Sequence, residues 1–431
     1  MDKKKFLFVS WTGLIGDSAW QVVKEGHEVK YYVDDKDERS VTDGFVQKVD
    51  DWKKEIDWAD VIIFDDVLGL GEEAEKLRKQ GKAVIGGTAY TDRLEDDRTF
   101  GQEELKKAGV SITSHMGFTT FDEAIEYVKQ NPGRYVIKFS GKAQNDKQRL
   151  FVGEEERGVD VINVLQDYKR VWAEKDVELQ LQKKIQGVEV AVGAFFNGRE
   201  FIEPINVNFE HKRLFPGNIG PQTGEMGTLM FWSQPNKLFH MTLKKMETKL
   251  AEEGYIGYID INCIVNGNGV YPLEFTARFG YPTIFIQQEG MNEPFAEFLY
   301  KLAHGEKFSL KTKSGFQVGV RIAVPPYPFD DEKTFNNYSK DSVIIFKEGY
   351  NREGVHIEDV RLLNDEWLVA GSAGVVLVVC GCGPTMKQAQ QQAYNRITNI
   401  MIPNMYYRKD IGDRWFEDSD KLHSWGYLHE I

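Results

Sequence analysis

Apolar runs change their arrangement part-way along the chain, and this change limits the folds that are open to it. Over about the first 105 residues, short apolar runs such as KKFLFVS, DVIIFDD and KAVIGG alternate with amphipathic helical stretches. This alternation is typical of a parallel sheet with crossover helices. Between about residues 135 and 290, strand-like runs come in pairs around tight turns, at Asn197-Gly198 and at the NGNG of 266–269. Such pairs predict β-hairpins and a largely antiparallel sheet.

We therefore predict a multi-lobe chain that combines α/β and α+β architecture in three domains. A parallel α/β domain is expected for residues 1–105, a mostly antiparallel domain for 106–320 and a small β-rich domain for 321–431. The proline-rich stretch VPPYPFDD at 324–331 supports the second boundary. A chain of 431 residues is long enough for several domains of about 100–200 residues each.

Charge and apolar content exclude several classes of partner. The formal net charge is -13 and no basic stripe interrupts it, so we expect no nucleic-acid partner. No apolar stretch reaches the roughly 20 residues of a membrane span, and the start MDKKKFLFVS shows no cleavage site. The odd set of Cys263, Cys380 and Cys382 lacks metal-ligand spacing and is interpreted as reduced packing residues. We expect a cytoplasmic protein with no membrane partner.

The hairpin around NGNG carries polar side chains inside two otherwise apolar strands. Its first strand contains Asp260 and Asn262, and its second contains Glu274, Thr276 and Arg278 within LEFTARFGYP. Because side chains alternate along a strand, each set lies on one face. The turn predicts Asp260 almost opposite Glu274, a like-charge pair that a divalent cation would stabilise, and oxygen ligands favour Mg²⁺. The alternative is that these acids pair with Arg278 or a lysine and face solvent.

Groups that could handle phosphate precede this hairpin in the sequence. Lys138 lies inside the apolar strand YVIKF, where a buried ammonium group requires an anionic partner. The next loop, SGKAQNDKQRL, offers Lys142, Lys147 and Arg149, which are either phosphate ligands or a solvated basic loop. The stretch GNIGPQTGEMG at 217–227 has four glycines and suits presentation of backbone N–H groups to an anion, or a plain surface loop.

Four strings in order resemble ATP-grasp ligases and, within them, the phosphoribosylamine–glycine ligase family. They are VEVAVGAFFNGREF with the following EHKR and GPQTGEMG, then LEFTARFG, VVLVVCGCGPTMKQAQQQAYNRI and YYRKDIGDR. The resemblance implies an ATP-grasp fold: a pre-ATP-grasp domain over 1–105, an ATP-grasp domain over 106–320 with a lid at about 120–187, and a C-terminal β-rich domain.

The same resemblance implies a two-step ligation. ATP phosphorylates a glycine-like carboxylate, and an amine then attacks the acyl phosphate to form an amide, releasing ADP and phosphate. The implied cofactors are ATP and Mg²⁺ or Mn²⁺, the partners are small molecules, and the protein would be a monomer or dimer. The activity is either that of the purine pathway or that of a relative with a replaced amine acceptor.

By resemblance, each class of site has its own residues. The metal ligands would be Glu274 together with Asp260, Asn262 and Thr276. The catalytic residues would be Arg278 and Arg213. The ATP-binding residues would be Lys138, Lys147, Gln182, Lys183, Lys184, Ile185 and Glu189. The substrate-binding residues would be Thr12, Gly13, His211, Lys212, Gly220, Pro221, Thr223 and Gly224.

Two departures from the family pattern concern the metal and the lid. Thr276 occupies the position where the family usually has an asparagine ligand, and Asp260 occupies a position where the family commonly has a tyrosine. Asp260 would therefore take over part of the metal binding. The lid loop lacks the family's Gly-Lys-Gly character, which leaves Lys147 as a stand-in for its phosphate lysine.

Other departures concern the amine acceptor. The family carries a Gly-Gly-Arg-Glu-His-Ala run in its first turn, whereas this chain reads TGLIGDSAW, with Leu14 and Ile15 forming an apolar wall and Asp17 gained. Asn218 and Glu225 replace a family aspartate and glycine in the 217–227 loop. Because lost hydrogen-bond partners disfavour a polar substrate strongly, we expect phosphoribosylamine to be a poor acceptor.

Two hypotheses outside the ligase class stay open. The unusual lid loop and Thr276 are compatible with a nucleotide-binding regulator that has no catalytic activity. The TGLIG turn with Asp34-Asp35 suggests a dinucleotide site, but the third glycine of that pattern is absent and the indication is weak.

Overall fold

The computed structural model describes residues 1–113, 115–139, 150–172 and 178–428 of the chain. Its first five strands are β1 (Lys5–Ser10), β2 (Glu28–Val33), β3 (Gln47–Lys48), β4 (Val61–Phe64) and β5 (Val84–Ile85). They form a sheet in the order β3-β2-β1-β4-β5 in which every neighbouring pair is parallel. The predicted N-terminal parallel sheet is therefore confirmed.

Four helices accompany this sheet: α1 (Gly16–Lys24), α2 (Leu70–Lys79), α3 (Ala89–Asp96) and α4 (Arg98–Lys107). Side-chain caps fix where the last two begin. The Thr88 hydroxyl accepts from the backbone N–H of Thr91, whose side chain accepts in return from the N–H of Thr88. The Asp97 carboxylate accepts from the N–H of Phe100 and so starts α4 directly after α3 ends.

A small layer of strands and helices follows, where the lid is predicted. Its elements are β6 (His115–Phe118), α5 (Phe121–Gln130), β7 (Tyr135–Phe139), β8 (Phe151–Val152), α6 (Val159–Trp172) and β9 (Leu179–Lys183). The strands form an antiparallel sheet in the order β6-β9-β7-β8. Its apolar residues, among them Phe121, Ile137 and Leu181, form a separate core, so this layer has its own packing.

The other strands are β10 (Val188–Asn197), β11 (Ile205–Glu210), β12 (Arg213–Phe215), β13 (Ile219–Gln222), β14 (Gly227–Ser233), β15 (Ile256–Asn266), β16 (Gly269–Thr276), β17 (Phe316–Ala323), β18 (Ile345–Phe346), β19 (Val355–Ile357), β20 (Val360–Leu363), β21 (Glu366–Val369), β22 (Val375–Gly383) and β23 (Ile400–Met401). The helices are α7 (Lys237–Met241), α8 (Glu247–Glu252), α9 (Thr283–Gly290), α10 (Phe295–Ala303), α11 (Glu332–Tyr338), α12 (Met386–Ile397) and α13 (Trp415–Ser424).

Eight of these strands form one large sheet in the order β16-β15-β10-β11-β14-β17-β22-β19. Every neighbouring pair is antiparallel, as the hairpin pattern predicts. Strand β17 spans the predicted boundary between residues 320 and 321, because the sheet continues into the C-terminal part of the chain. The domain boundaries themselves stay a prediction. Within the described residues, no helix combines the length and the apolar character needed to cross a membrane.

The register of the hairpin β15–β16 differs from the sequence prediction. Asp260 is paired with Thr276, and Asn262 is paired with Glu274, so the expected pair of Asp260 and Glu274 is wrong by two residues. The reason is twofold: the turn takes two residues, and the ladder shifts by one more between Asn262 and Cys263. A bulge of this kind re-aims the side chains beyond it. Here it brings Glu274 and Thr276 to the face that carries Asp260 and Asn262.

Candidate active site

One face of the large sheet carries a continuous patch of polar side chains. Residues paired directly across antiparallel strands share a face, and the pairing aligns Ala191 with Asn262 and Asn208, and Gly193 with Asp260 and Asn206. Alternation then adds residues two positions along each strand. The patch consists of Glu189 on β10, Asn206, Asn208 and Glu210 on β11, Asp260 and Asn262 on β15, and Glu274 and Thr276 on β16.

Lys212, two residues beyond β11, connects three acids of this patch. Its Nζ lies 3.2 Å from Glu210 Oε2, 3.2 Å from Glu274 Oε1 and 3.4 Å from Glu189 Oε1. Arg98 at the start of α4 adds a second cation, with its Nη2 at 3.1 Å from Glu274 Oε2. Burial acts to lower the pKa of Lys212, but Glu210 and Glu274 hold it well above its usual value. The patch therefore has a cationic group at its centre that stays charged at neutral pH.

The side chain of Asn262 is held so that its oxygen remains available. Its Nδ2 donates to Glu189 Oε1 at 3.2 Å and to Glu210 Oε2 at 3.1 Å. Its Oδ1 is buried and accepts no hydrogen bond. An amide oxygen in this position, paired across the hairpin with a carboxylate at Glu274, suits a hard cation such as Mg²⁺. Among the described residues, no group of three or more His, Cys, Asp or Glu side chains is arranged to hold a metal ion.

Asp260 lies one rung further along and has different surroundings. It is 3% exposed, and burial followed by the charge of Glu210 raises its pKa to about 8. Its carboxyl group forms side-chain hydrogen bonds with Tyr258 and Thr276, which partly offset this rise. A carboxyl group that is largely protonated near neutral pH, and that already occupies the Thr276 hydroxyl, is a poorer cation ligand than Glu274.

Lys138 reaches this patch from the lid strand β7. It is 9% exposed, and burial followed by the charge of Arg98 lowers its pKa to about 7, whereas Glu274 and Glu189 act in the opposite direction. These influences place its ammonium group near the acids of the large sheet. The structure therefore brings the predicted phosphate lysine of the lid and the predicted metal-binding strand together. Lys147, the other predicted lid ligand, lies outside the described residues.

The predicted adenine-binding segment follows the same lid sheet into the hinge. Gln182 on β9 is buried, Lys183 is exposed, Ile185 is half-buried, and the Lys184 ammonium forms an ion pair with Glu154. Nearby, Gln180 Nε2 donates to Thr99 Oγ1 at 3.0 Å and so ties β9 to α4. The segment thus begins in the lid sheet, which Gln180 ties to the start of α4 beside Arg98.

The predicted substrate loop forms a short ribbon of β12 and β13. Arg213 Nη1 donates to the carbonyl of Gly220 at 2.8 Å, and Thr223 Oγ1 donates to the carbonyl of Lys212 at 2.8 Å. Gly220 has a φ of +84°, a conformation that favours glycine. Pro221 is half-buried and Gly224 is exposed at the two sides of this turn. The ribbon therefore positions the backbone around Lys212.

The C-terminal part of the chain supports this ribbon from behind. Arg408 donates to the carbonyl of Arg213 at 2.8 Å and to Asn218 Oδ1 at 3.0 Å. His211 is 2% exposed, and burial followed by the charge of Arg414 lowers its pKa to about 3. It is therefore a neutral imidazole, which accepts from the backbone N–H of Gly412 at 3.4 Å. These contacts indicate that His211 has a role in packing and in positioning its neighbours.

Arg278 points toward the N-terminal domain. Its guanidinium lies 3.1 Å from Glu95 Oε1 and 3.7 Å from Asp66 Oδ1. Burial acts to lower the pKa of Arg278, but Glu95 and Asp66 raise it above its usual value, so the side chain is charged. Thr12 and Gly13 follow β1 on this side, and the N–H of Gly13 donates to Ser10 Oγ at 2.8 Å. The predicted site residues thus form two neighbouring centres, one at Lys212 and one at Arg278.

One expectation about the first turn, an apolar wall that includes Ile15, is wrong. Ile15 is 1% exposed and packs in the main hydrophobic core, so it forms no wall of a substrate pocket. Asp17 is also 1% exposed, and its Oδ2 lies 2.7 Å from His356 Nδ1. Both residues face the interior, which leaves Thr12 and Leu14 as half-buried residues of the turn.

Several residues of the site were missed by sequence reasoning. Glu210 ends the strand INVNFE, whose polar residues recur at every second position, and this alternation was a usable signal. Asp65 and Asp66 follow the apolar run VIIF directly, which is where side chains project from the carboxyl edge of a parallel sheet. Arg98 and Glu95 lie on surface-like helical stretches, and only the tertiary structure brings them to Glu274 and Arg278.

Comparison with known proteins agrees with this geometry. The family model of the phosphoribosylglycinamide synthetase ATP-grasp (A) domain matches residues 96–284, and that of the C domain of the same synthetase matches residues 317–414. Together the two matches span about two thirds of the chain. The chain belongs to the phosphoribosylglycinamide synthetase family of the ATP-grasp superfamily.

Relatives of this family resemble the chain over most of its length. A phosphoribosylamine–glycine ligase of Listeria monocytogenes is 26% identical over 376 residues, which cover 84% of this chain and 86% of the relative. One from Halalkalibacterium halodurans is 24% identical over 354 residues, which cover 79% and 78%.

Solved structures of other proteins resemble this chain in fold. The crystal structure of phosphoribosylamine–glycine ligase from Thermotoga maritima aligns with a TM-score of 0.70 at 22% identity, covering 94% of this chain and all of that one. N5-carboxyaminoimidazole synthetase from Staphylococcus aureus, complexed with ADP, aligns with a TM-score of 0.58 at 12% identity, covering 92% and 98%. At these identities the structures support the fold alone.

Proposed function

We propose that this protein is an ATP-dependent carboxylate–amine ligase that forms an amide through an acyl phosphate. The carboxylate substrate is glycine or a similarly small amino acid, and ATP is used with Mg²⁺ or Mn²⁺. The observation that carries this proposal is the convergence of Lys138, Arg98 and Lys212 on Glu274 at one end of the polar patch. Phosphoryl transfer requires such fixed cations beside a metal-binding carboxylate, because the transferring group carries negative charge.

Glu274 and Asn262 would hold the metal ion. The two residues are paired across the hairpin, and the Asn262 side-chain oxygen is buried without a donor. The ion would neutralise phosphate oxygens and orient them. We assign Asp260 and Thr276 to a supporting role, because their side chains bond to each other. Lys212 and Arg98, which pair with Glu274, would supply positive charge to phosphate oxygens held there.

Lys138 would contact the phosphates from the lid side. Its ammonium is costly to bury, and its pKa of about 7 reflects that cost in the absence of a phosphate. Glu189 would accept from the ribose hydroxyls, and residues 182–185 would border the adenine. In this arrangement the side chains bind and orient the nucleotide, and none forms a covalent intermediate.

Arg278 would neutralise the acyl phosphate. Its guanidinium is oriented by Glu95 and Asp66, two acids of the N-terminal domain. The carboxylate would therefore lie between the Lys212 centre and the Arg278 centre, with the amine approaching from the N-terminal domain. Holding the reactants in this order converts two collisions into one bound complex, which is a major source of rate acceleration.

The direct test is ADP release from ATP and Mg²⁺ over a panel of amino acids and amines. ADP release that depends on both a carboxylate and an amine supports the ligase and excludes a regulator without catalytic activity. Absence of carboxylate-dependent ADP release across the panel would contradict the proposal.

A variant pair tests the metal carboxylate within that assay. Glu274→Gln keeps the shape but removes the charge that binds the cation, so we expect a fall of at least about 10–100-fold in turnover, the range seen when support for a bound metal is lost. The matched control is Glu366→Gln, an exposed strand glutamate on β21, which should retain activity. Equal turnover of the two variants at saturating Mg²⁺ would exclude the metal role of Glu274.

A further inference from the structure

The parallel sheet of the N-terminal domain reverses its strand order at β1, and we use the word crevice for the position outside the carboxyl ends of β1 and β4. Strand β2 pairs on one side of β1, and β4 pairs on the other. In open parallel sheets, ligands bind outside the carboxyl ends of the strands at such a switch point. Here these ends are Ser10, which closes β1, and Asp65, which follows β4. Thr12 and Gly13 border the same position, so the topology marks this crevice as a ligand site.

A buried carboxylate oxygen in this crevice lacks a hydrogen-bond partner. Asp65 is 2% exposed; its Oδ2 accepts from Ser10 Oγ at 2.5 Å and from the Tyr281 hydroxyl at 3.3 Å, whereas its Oδ1 has no hydrogen-bond partner. The hydroxyl of Tyr31 is also buried and interacts with the side chain of Ser10. It faces the same turn, because a Cβ added to Gly13 would lie 3.7 Å from it. A buried polar atom without a partner, such as Asp65 Oδ1, requires a ligand or water.

The charge of the crevice selects the kind of ligand. Asp65, Asp66, Glu95 and Asp96 contribute four carboxyl groups, against the one guanidinium of Arg278. Burial, followed by the charge of Asp66, raises the pKa of Asp65 to about 7, and a nearby cation would reverse that effect. A phosphate group placed here would meet four acidic side chains, whereas an ammonium group would be stabilised by them.

We propose that this crevice binds an ammonium group of the amine substrate through Asp65 and Asp66, so that the acceptor is a cationic amine and carries no phosphate. The inference rests on the proposed ligase function and names the class of its acceptor. Diamines and other small amines with a second cationic group fit it best, because one nitrogen can remain charged in the crevice while the other attacks beside Arg278. The same acids could instead hold the ammonium of the amino-acid substrate, and the test separates these sources.

The test compares acceptors and donors in the ADP-release assay with the full chain. 1,3-Diaminopropane, ethanolamine and phosphoethanolamine serve as acceptors, and glycine and acetate as donors. Asp66→Asn removes one charge, and Asp57→Asn is the matched control, since Asp57 precedes β4 at the opposite end of the strand and pairs with Lys82 at 2.7 Å. We expect kcat/KM to be highest for 1,3-diaminopropane, lower for ethanolamine and lowest for phosphoethanolamine. We also expect a rise of about 10-fold or more in the diamine KM for Asp66→Asn, with the KM for ATP unchanged.

Each outcome of this test either supports or overturns the assignment of the crevice to the amine substrate. Preference for phosphoethanolamine, or an unchanged diamine KM in Asp66→Asn, would overturn the proposal and leave the ligase standing. Suppose that Asp66→Asn changes the preference for glycine over acetate but leaves the order of the acceptors unchanged. The ammonium group in the crevice would then be that of the amino-acid substrate, and the acceptor assignment would be overturned. Asp96→Asn, an exposed member of the cluster, should shift the diamine KM in the same direction by less.

A binding measurement distinguishes failure of the proposed ligase function from failure of the proposed ammonium site. If no donor and acceptor pair releases ADP, calorimetry of 1,3-diaminopropane with the unmodified protein and with Asp66→Asn tests the crevice directly. Binding that Asp66→Asn weakens about 10-fold supports the ammonium site without the ligase, and absence of binding to the unmodified protein overturns it.

Discussion

Asp17 and His356 form a buried ion pair between the N-terminal domain and the C-terminal strands, and its removal should destabilise the whole protein. Asp17 Oδ2 lies 2.7 Å from His356 Nδ1, and Asp17 Oδ1 accepts from the N–H of Ile357 at 2.9 Å. The imidazole stacks on Phe285 with a centroid distance of 5.5 Å and an interplanar angle of 11°. The perturbation is Asp17→Asn, which keeps the shape of the side chain and removes its charge.

The magnitude follows from burial. Asp17 is 1% exposed and His356 is 8% exposed, so the remaining imidazolium would be left in the interior with only Glu289 Oε1, 3.5 Å from its Nε2, as a counter-charge. Breaking a buried pair by removing one partner typically costs about 3–5 kcal/mol. We expect a loss of about 3 kcal/mol in the free energy of unfolding, because the amide oxygen introduced by Asp17→Asn would still accept from the N–H of Ile357.

The pH dependence has a definite sign. Burial acts to lower the pKa of His356, but Asp17 raises it well above its usual 6.5, so this contribution is complete below pH 6.5 and is lost as the pH rises through the folded-state value. Burial acts to raise the pKa of Asp17, but His356 lowers it below its usual 3.8, so that contribution is complete above pH 3.8 and is lost as the pH falls. The Asp17–His356 pair therefore stabilises the folded protein most between pH 3.8 and pH 6.5.

Urea unfolding of the original protein and of Asp17→Asn measures this difference. Asp365→Asn, an exposed residue of the β20–β21 turn, is the matched control and should change stability little. The difference between the original protein and Asp17→Asn should narrow above pH 6.5, by at most about 1.4 kcal/mol for each pH unit. A difference below about 1 kcal/mol at pH 6, or one that is equal at pH 6 and pH 8, would refute the reasoning.

The remaining predictions concern the nucleotide and metal. Lys138→Met should weaken ATP affinity about 10–100-fold, as expected when a charge-assisted contact is lost, and equal calorimetric affinities would contradict it. Because Lys138 has a pKa of about 7 without nucleotide, ATP binding at pH 8 should take up protons, so the binding heat should differ between buffers of different ionisation enthalpy. Thr276→Asn should lower the Mg²⁺ concentration for half-maximal ADP release, since an amide oxygen at this position would add a ligand beside Glu274, whereas the Thr276 hydroxyl is bonded to Asp260. An unchanged requirement would count against a metal near position 276.

Much of the fold could be predicted from local pattern. The alternation of strand and helix in the first third of the chain and the Asn-Gly turns of the middle third depend on short-range periodicity and on positive-φ residues, which the sequence states directly. The same is true of Lys138 and Glu274, because a charged residue within an apolar strand stands out without any knowledge of its neighbours.

The sequence alone could not determine the register and the neighbours of the site. A shift of one residue at the bulge beside Asn262 decides which face Glu274 occupies, and such a shift depends on packing across the whole sheet. The pKa values of about 7 for Lys138 and about 8 for Asp260 arise from burial that exists only in the folded protein. Asp65 and Arg278 come from distant parts of the chain, and only the docking of the N-terminal domain on the large sheet makes them one crevice.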